Sequence, residues 1–206
     1  MGPHQSKGAK MRRIARNVTE SALRTAVLAS FAVGLSLAPP TAVSAQNLEK
    51  TVVEFYNVSL DHYFLTHDDS EIWSLDNAIP SNGWERTGET WRVRSTPETG
   101  TSPVCRFYIP PDQGNSHFYG RGFAECMATA ASHPSFINES SAFFHVTLPL
   151  HGNCPPGTRN LYRVFNNRPD ANHRYTTERG IRDVMVEGGW IAEGDGDARV
   201  VMCVAL

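Results

Sequence analysis

Glu54-Phe55-Tyr56-Asn57 followed by His62-Tyr63-Phe64-Leu65-Thr66 decides how this chain is read, because the phrase comes back twice. It returns as Arg106-Phe107-Tyr108 with His117-Phe118-Tyr119, and again as Arg163-Val164-Phe165-Asn166 with His173-Arg174-Tyr175-Thr176-Thr177. His62, His117 and His173 are 55 and 56 residues apart. The copies also close alike: Gly83-Trp84 then Thr87-Gly88, Ser135-Phe136 then Glu139-Ser140, Gly189-Trp190 then Glu193-Gly194. A fixed period of this length marks one supersecondary unit used three times.

Working outward, 52–57 and 62–66 are β-rich runs separated by turn-forming residues, which reads as a hairpin. Proline, glycine and asparagine at 110–115 and 167–172 punctuate the other two copies in the same place. Helix-compatible apolar spacing follows at 70–75, 124–131 and 180–186. Asp68 or Asp69, and Thr177 with Glu178, supply the N-terminal signals, and Gly83 and Gly189 the stops. A third strand then covers 89–94, 142–148 and 199–204. The expected class is α+β and β-rich, built as three β-β-α-β repeats at about 52–102, 103–158 and 159–206. One such unit is too small to bury both its aromatic strands and a helix face, so the three share a core in a compact pseudo-threefold domain.

The composite signature of aromatic-Tyr-Asn, turn, His-aromatic-Tyr-Thr, helix, Gly-Trp and Glu-Gly resembles a family of secreted bacterial repeat domains of unknown function. Pro103-Val104-Cys105-Arg106-Phe107-Tyr108 and Asn172-His173-Arg174-Tyr175-Thr176-Thr177 carry the resemblance, which spans 52–206. It implies a binding or attachment role and transfers no catalytic residue. The chain departs from the pattern at Gly120-Arg121, Phe136, Arg174 and Asp195-Gly196-Asp197.

The first 45 residues read separately. A basic start (Arg12, Arg13, Arg16), an apolar run over 26–38 and small residues at Val43-Ser44-Ala45 form a secretory signal, with Met11 an alternative start. The apolar run is too short for an ordinary membrane span. Residues 46–51 then form a short linker. Export, to the periplasm or beyond, is the expected localisation, with no membrane insertion once the signal is removed.

Residues 1–45 hold six of the 19 basic and one of the 21 acidic groups, so the remainder carries 13 and 20, a formal charge of −7. Lys50 is its single lysine. Without clustered positive charge, nucleic acid is excluded as a partner. Four cysteines in an exported chain read as two disulfides with three possible connectivities. Cys105–Cys126 and Cys154–Cys203 are favoured, the first tying a strand to its helix and the second clamping the third unit. Zinc is the rival reading, weakened by the lack of any Cys-x-x-Cys pair.

Residues common to every copy serve architecture first. His62, His117 and His173 nonetheless allow a sharper reading in which they converge on a ligand or metal. The repeated tyrosines and tryptophans could stack on sugar rings, although aromatics more commonly form the core. Trp73 and Trp91 stand out because the other copies have Met127 and Phe143 there, with Asp183 and Asp197 in the third. Arg121 and Arg174 stand out for the same reason. Glu193, Asp195 and Asp197 form an acidic glycine-spaced loop that lacks the full calcium-binding series. No nucleophile elbow, His-Glu-x-x-His or phosphate loop is present. The expected function is therefore a secreted, non-catalytic, cofactor-free module binding an extracellular or cell-wall carbohydrate. The alternatives are a small exported hydrolase using clustered histidines and carboxylates, or a structural protein-interaction domain.

Overall fold

The computed structural model describes residues 49–78 and 83–206. The expected export signal and residues 46–48 lie outside the described residues. In chain order the elements are β1 (Glu49–Asn57), β2 (His62–Thr66), α1 (Asp69–Asn77) and β3 (Trp84–Arg94). Then come β4 (Ser102–Ile109), β5 (Ser116–Arg121), α2 (Gly122–Ser132) and β6 (Ile137–Val146). The last set is β7 (Thr158–Phe165), β8 (His173–Thr176), α3 (Arg179–Glu187), β9 (Ile191–Glu193) and β10 (Val200–Ala205). The described residues are strand-rich, with one antiparallel sheet system and three helices.

The first strand of each hairpin is central. β1 pairs with β2 and β3, β4 with β5 and β6, and β7 with β8 on one side and with β9 and β10 on the other. The three groups join through single pairs, Arg94↔His145 and Ala205↔Arg92, and the bridge Thr147↔Cys203. Third strands begin earlier than expected, at Trp84, Ile137 and Ile191, because the aromatic after each turn is already paired or near it. In the last group that strand is split into β9 and β10 by the loop at 194–199, where Gly194 and Gly196 take φ of 125° and 63°. The expected linker also shortens: Glu49 opens β1 opposite Arg94, and its carboxylate meets Arg92 at 3.1 Å and Arg94 at 2.9 Å.

Local signals explain the helices. Asp68 caps α1, its Oδ1 accepting from the amides of Ser70 and Glu71 at 2.9 and 3.1 Å, which satisfies two of the unpaired first-turn donors. α3 has no side-chain cap at Glu178; instead Thr176 Oγ1 accepts the Glu178 amide at 3.0 Å. α1 ends at Asn77, well before Gly83. Gly83, at φ 84°, serves the strand instead: a Cβ there would meet the Asn57 side chain at 3.1 Å.

The largest core cluster draws on all three groups, including Val52, Leu65, Trp91, Val104, Tyr119, Tyr175 and Met202. Burying each such side chain contributes about 1.5–3 kcal/mol. Two phenols thread this core. The Tyr119 hydroxyl donates to the Leu65 carbonyl and lies 3.2 Å from the Leu65 amide. The Tyr175 hydroxyl donates to the Tyr119 carbonyl at 2.8 Å and accepts the Tyr119 amide at 2.9 Å. Leu65, at the matching place in β2, has no hydroxyl to extend the series.

Both expected disulfides are formed, Cys105–Cys126 joining β4 to α2 and Cys154–Cys203 joining the approach to β7 with β10. In the chain-entropy model such loops stabilise by roughly 3–4 kcal/mol each.

Candidate functional site

Strand register decides which side chains can meet. In β4 and β5, Arg106 lies opposite Tyr119 and Tyr108 opposite His117. In β7 and β8, Arg163 lies opposite Tyr175 and Phe165 opposite His173. In β1 and β2, however, Glu54 faces Leu65 and Tyr56 faces Tyr63, while His62 falls opposite Asn57. His62 is thus one place out of step with His117 and His173. A shift of one residue turns a side chain to the opposite face of the strand, so the three imidazoles do not converge.

His62 instead corresponds to Ser116 and Asn172, and these three polar residues knit the hairpin turns together. The His62 ring nitrogens lie 3.4 Å from the Asn115 carbonyl and 3.2 Å from the Asp170 carbonyl. Ser116 Oγ donates to the Ala171 carbonyl. Asn172 accepts the Tyr63 amide at 2.9 Å and donates to the Tyr63 carbonyl at 3.1 Å. His62 is buried.

His173 opens onto a cleft of about 340 Å³ between α2 and the β7–β8–β9 group. Its floor is the buried Arg163. The guanidinium makes a bidentate pair with Glu125 of α2 at 2.7 and 3.2 Å, and its Nε reaches Glu193 of β9 at 2.7 Å. Phe118 lies 4.9 Å from the guanidinium and packs edge-on to the His173 ring at 5.0 Å, while Phe165 stacks on that ring at 4.9 Å. Phe136, stacked on His133 at 4.5 Å, completes the aromatic wall.

The electrostatics follow from this packing. Burial pushes the Glu125 carboxyl up, but the Arg163 hydrogen bonds and charge, with the Arg121 amide, outweigh it and hold Glu125 below the usual carboxylate range. Burial, reinforced by Arg163 and His133, drives His173 well below the ordinary imidazole value. His173 is therefore neutral at physiological pH. Its Nε2 lies 3.5 Å from Glu193, and its buried Nδ1 has no hydrogen-bond partner.

A matching constellation sits between α1 and β4–β6. Arg106 pairs bidentately with Glu71 of α1 at 2.8 and 2.8 Å, and its Nε reaches Glu139 of β6 at 2.9 Å. His117 lies 3.2 Å from Glu139, whose carboxyl is held below its usual range first by the His117 hydrogen bond. Phe64 packs edge-on to His117 at 4.7 Å. Phe64, His117, Glu71, Ser70, Ser74 and Leu75 line a cleft of about 300 Å³.

The remaining sequence candidates fall elsewhere. Trp91 is 1 % exposed and belongs to the core, so it cannot meet a solute. Trp73 is 68 % exposed on α1, next to cleft-lining Ser74. Arg121 pairs bidentately with Asp195 at 2.7 and 2.8 Å and donates to the Val201 carbonyl at 3.0 Å. It therefore occupies the carboxylate that the acidic loop would offer a cation. Arg174 pairs with buried Glu54 at 2.9 and 3.1 Å and lies 4.3 Å over the Tyr63 ring. Among the described residues no His, Cys, Asp and Glu cluster has metal-site geometry, and no helix is long and apolar enough to cross a membrane.

Sequence reasoning passed over Arg106, Arg163, Glu125, Glu139 and Glu193 as a set. Their pairing runs from α1 to β4 and β6, and from α2 to β7 and β9, and spacing along the chain does not reveal it. Comparison with curated proteins and with solved structures gives no match. The family comparison is positive: residues 37–146 match the family described as Domain of unknown function (DUF5648), and the chain belongs to that family.

Proposed function

We propose that this chain is an exported, non-catalytic binding module for an extracellular or cell-wall carbohydrate, built from three β-β-α-β copies about a pseudo-threefold axis. The observation that carries the reading is the cleft over Arg163. A pyranose unit has an apolar face and polar edges, and it needs a concave site with ring surfaces and a few fixed polar groups. Phe118, Phe136 and Phe165 supply the ring surfaces, and Glu125 and Glu193 supply acceptors for sugar hydroxyls.

The same geometry argues against a hydrolase. Glycoside hydrolysis needs one carboxyl group that still holds its proton and a second that is free to act. Glu125 and Glu193 share one guanidinium, and Glu125 is kept ionised by it. Arg163 is saturated by those two carboxylates, so uncharged sugars fit better than uronic acids. The threefold reading rests on the element order and on the series of corresponding contacts at Leu65, Tyr119 and Tyr175.

The test is a pull-down of the purified chain on insoluble cellulose, chitin and peptidoglycan, with a reducing-sugar assay in parallel. Retention on at least one polymer, lost in Phe136→Ala and without sugar release, is expected. No retention on any of the three, or steady hydrolysis, would overturn the proposal.

A further inference from the structure

We infer that the chain carries a second saccharide site, in the cleft between α1 and β5, so that one molecule holds two sugar units at once. This rests on the carbohydrate reading of the first cleft and extends it. The carrying observation is the correspondence between the two constellations, group by group. Each has an arginine on the central strand, bidentate to a glutamate in the first turn or two of the preceding helix: Arg106 with Glu71, and Arg163 with Glu125. Each arginine directs Nε to a glutamate on the third strand, at 2.9 Å for Glu139 and 2.7 Å for Glu193. In each, an imidazole stands beside that second glutamate, at 3.2 Å for His117 and 3.5 Å for His173. A phenylalanine packs edge-on to each imidazole, at 4.7 and 5.0 Å. The clefts are of similar size, about 300 and 340 Å³.

The third junction, between α3 and the β1–β2 hairpin, does not repeat this. Arg174 occupies the place in β8 that Phe64 and Phe118 occupy in β2 and β5. Its guanidinium fills the space by reaching Glu54, lying over Tyr63 and approaching Met185 at 3.7 Å. Two open clefts and one plugged junction give a bivalent molecule. Bivalency matters for a polymer ligand: a second weak contact on the same chain acts at a high effective concentration and raises the overall grip without new chemistry.

The two sites are not identical. His117 is more open than His173, 20 % against 11 % side-chain exposure, and its Nε2 lies closer to its glutamate, at 3.2 against 3.5 Å. The α1 cleft has Phe64 as its one phenylalanine, where the other has Phe118, Phe136 and Phe165. The α1 cleft is accordingly the weaker of the two.

The experiment titrates the isotope-labelled chain with cellobiose and with N,N′-diacetylchitobiose and follows amide shifts by NMR. Shifts from at least one disaccharide are expected at both 70–75 with His117 and 129–136 with His173. Ser74→Tyr, an exposed helix position, blocks the first cleft from outside, and Thr129→Tyr blocks the second. The expected result is loss of the His117 set alone in the first variant and of the His173 set alone in the second, with spectra otherwise unchanged. Shifts confined to the His173 set in the parent chain would overturn the second site and leave the carbohydrate reading standing. Loss of both sets in Ser74→Tyr would overturn it too, because the sites would not be independent. Shifts at neither cleft would end both proposals.

Discussion

The junction floored by Arg163 and the junction floored by Glu54 occupy matching places, yet their charges are reversed. At the first, the central strand carries the cation and the neighbouring elements bring two carboxylates. At the second, the central strand carries the buried acid and β8 brings the cation. Both end as bidentate ion pairs. The difference is where the guanidinium lies: under a cleft in one case, inside the space of the cleft in the other. Charge reversal of a buried pair thus turns an open junction into a closed one while keeping the strands together.

The largest expected effect tests whether the two junctions are equally dependent on their pairs. Arg163→Met removes a buried cation and strands Glu125 and Glu193 against each other. Breaking a buried pair in this way costs about 4 kcal/mol, and the loss is to be read from urea unfolding. Glu54→Gln leaves Arg174 without its counter-charge but with the Tyr63 face and solvent at its margin, so about 3 kcal/mol is expected in the same assay. Equal losses from both, or a loss under 1 kcal/mol for Arg163→Met, would remove the distinction.

A smaller effect probes the hydroxyl series beneath the junctions. Tyr175→Phe removes a donor and an acceptor from the buried Tyr119 backbone, at a cost of about 1–2 kcal/mol. Leu65→Ala, where no hydroxyl exists, changes packing only. Hydrogen exchange at the Tyr119 amide separates the two, since it should quicken only in Tyr175→Phe.

The smallest effect, but the most telling in sign, is the acid dependence of stability. Glu125 has a depressed pKa, so its contribution is present above the ordinary value of 4.5 and fades as the pH falls through the folded-state value. Glu54 has a raised pKa, chiefly from burial and only partly offset by Arg174, so its contribution is complete below 4.5 and declines as pH rises. Glu125→Gln should therefore lower the slope of stability against pH below 4.5, whereas Glu54→Gln should leave that range unchanged and raise the slope above 4.5, where the decline is lost. The same direction in both variants would break the comparison.

Much of this architecture is legible from spacing, because repeated turn residues and repeated aromatic pairs translate directly into hairpins. The histidine alignment is the instructive failure. Asn57 and His62 enclose four residues, Asn166 and Asn172 five, and Ile109 and Ser116 six. Matching by the conspicuous histidine slips the first hairpin by one residue, and in a strand that exchanges inside for outside. Trp91 failed for a related reason: an unrepeated aromatic in an alternating strand can as easily fill a core gap as face solvent. The cleft residues were visible singly but not as a set. Their recognition needs α1 placed against β4 and α2 against β7, a relation that exists only after folding.

One feature of the sheet bears on how the molecule comes to exist at all. β10 is inserted between β3 and β7, and Val200, Val201, Met202, Cys203 and Val204 are all buried. The strand nearest the C-terminus is therefore the wedge that closes the core and brings Cys203 to Cys154. A polypeptide stopped before residue 200 would display two unpaired strand edges and an unmatched thiol, the features that invite aggregation and proteolysis. A chain without β10 is therefore expected to be cleaved by protease faster than one that has it.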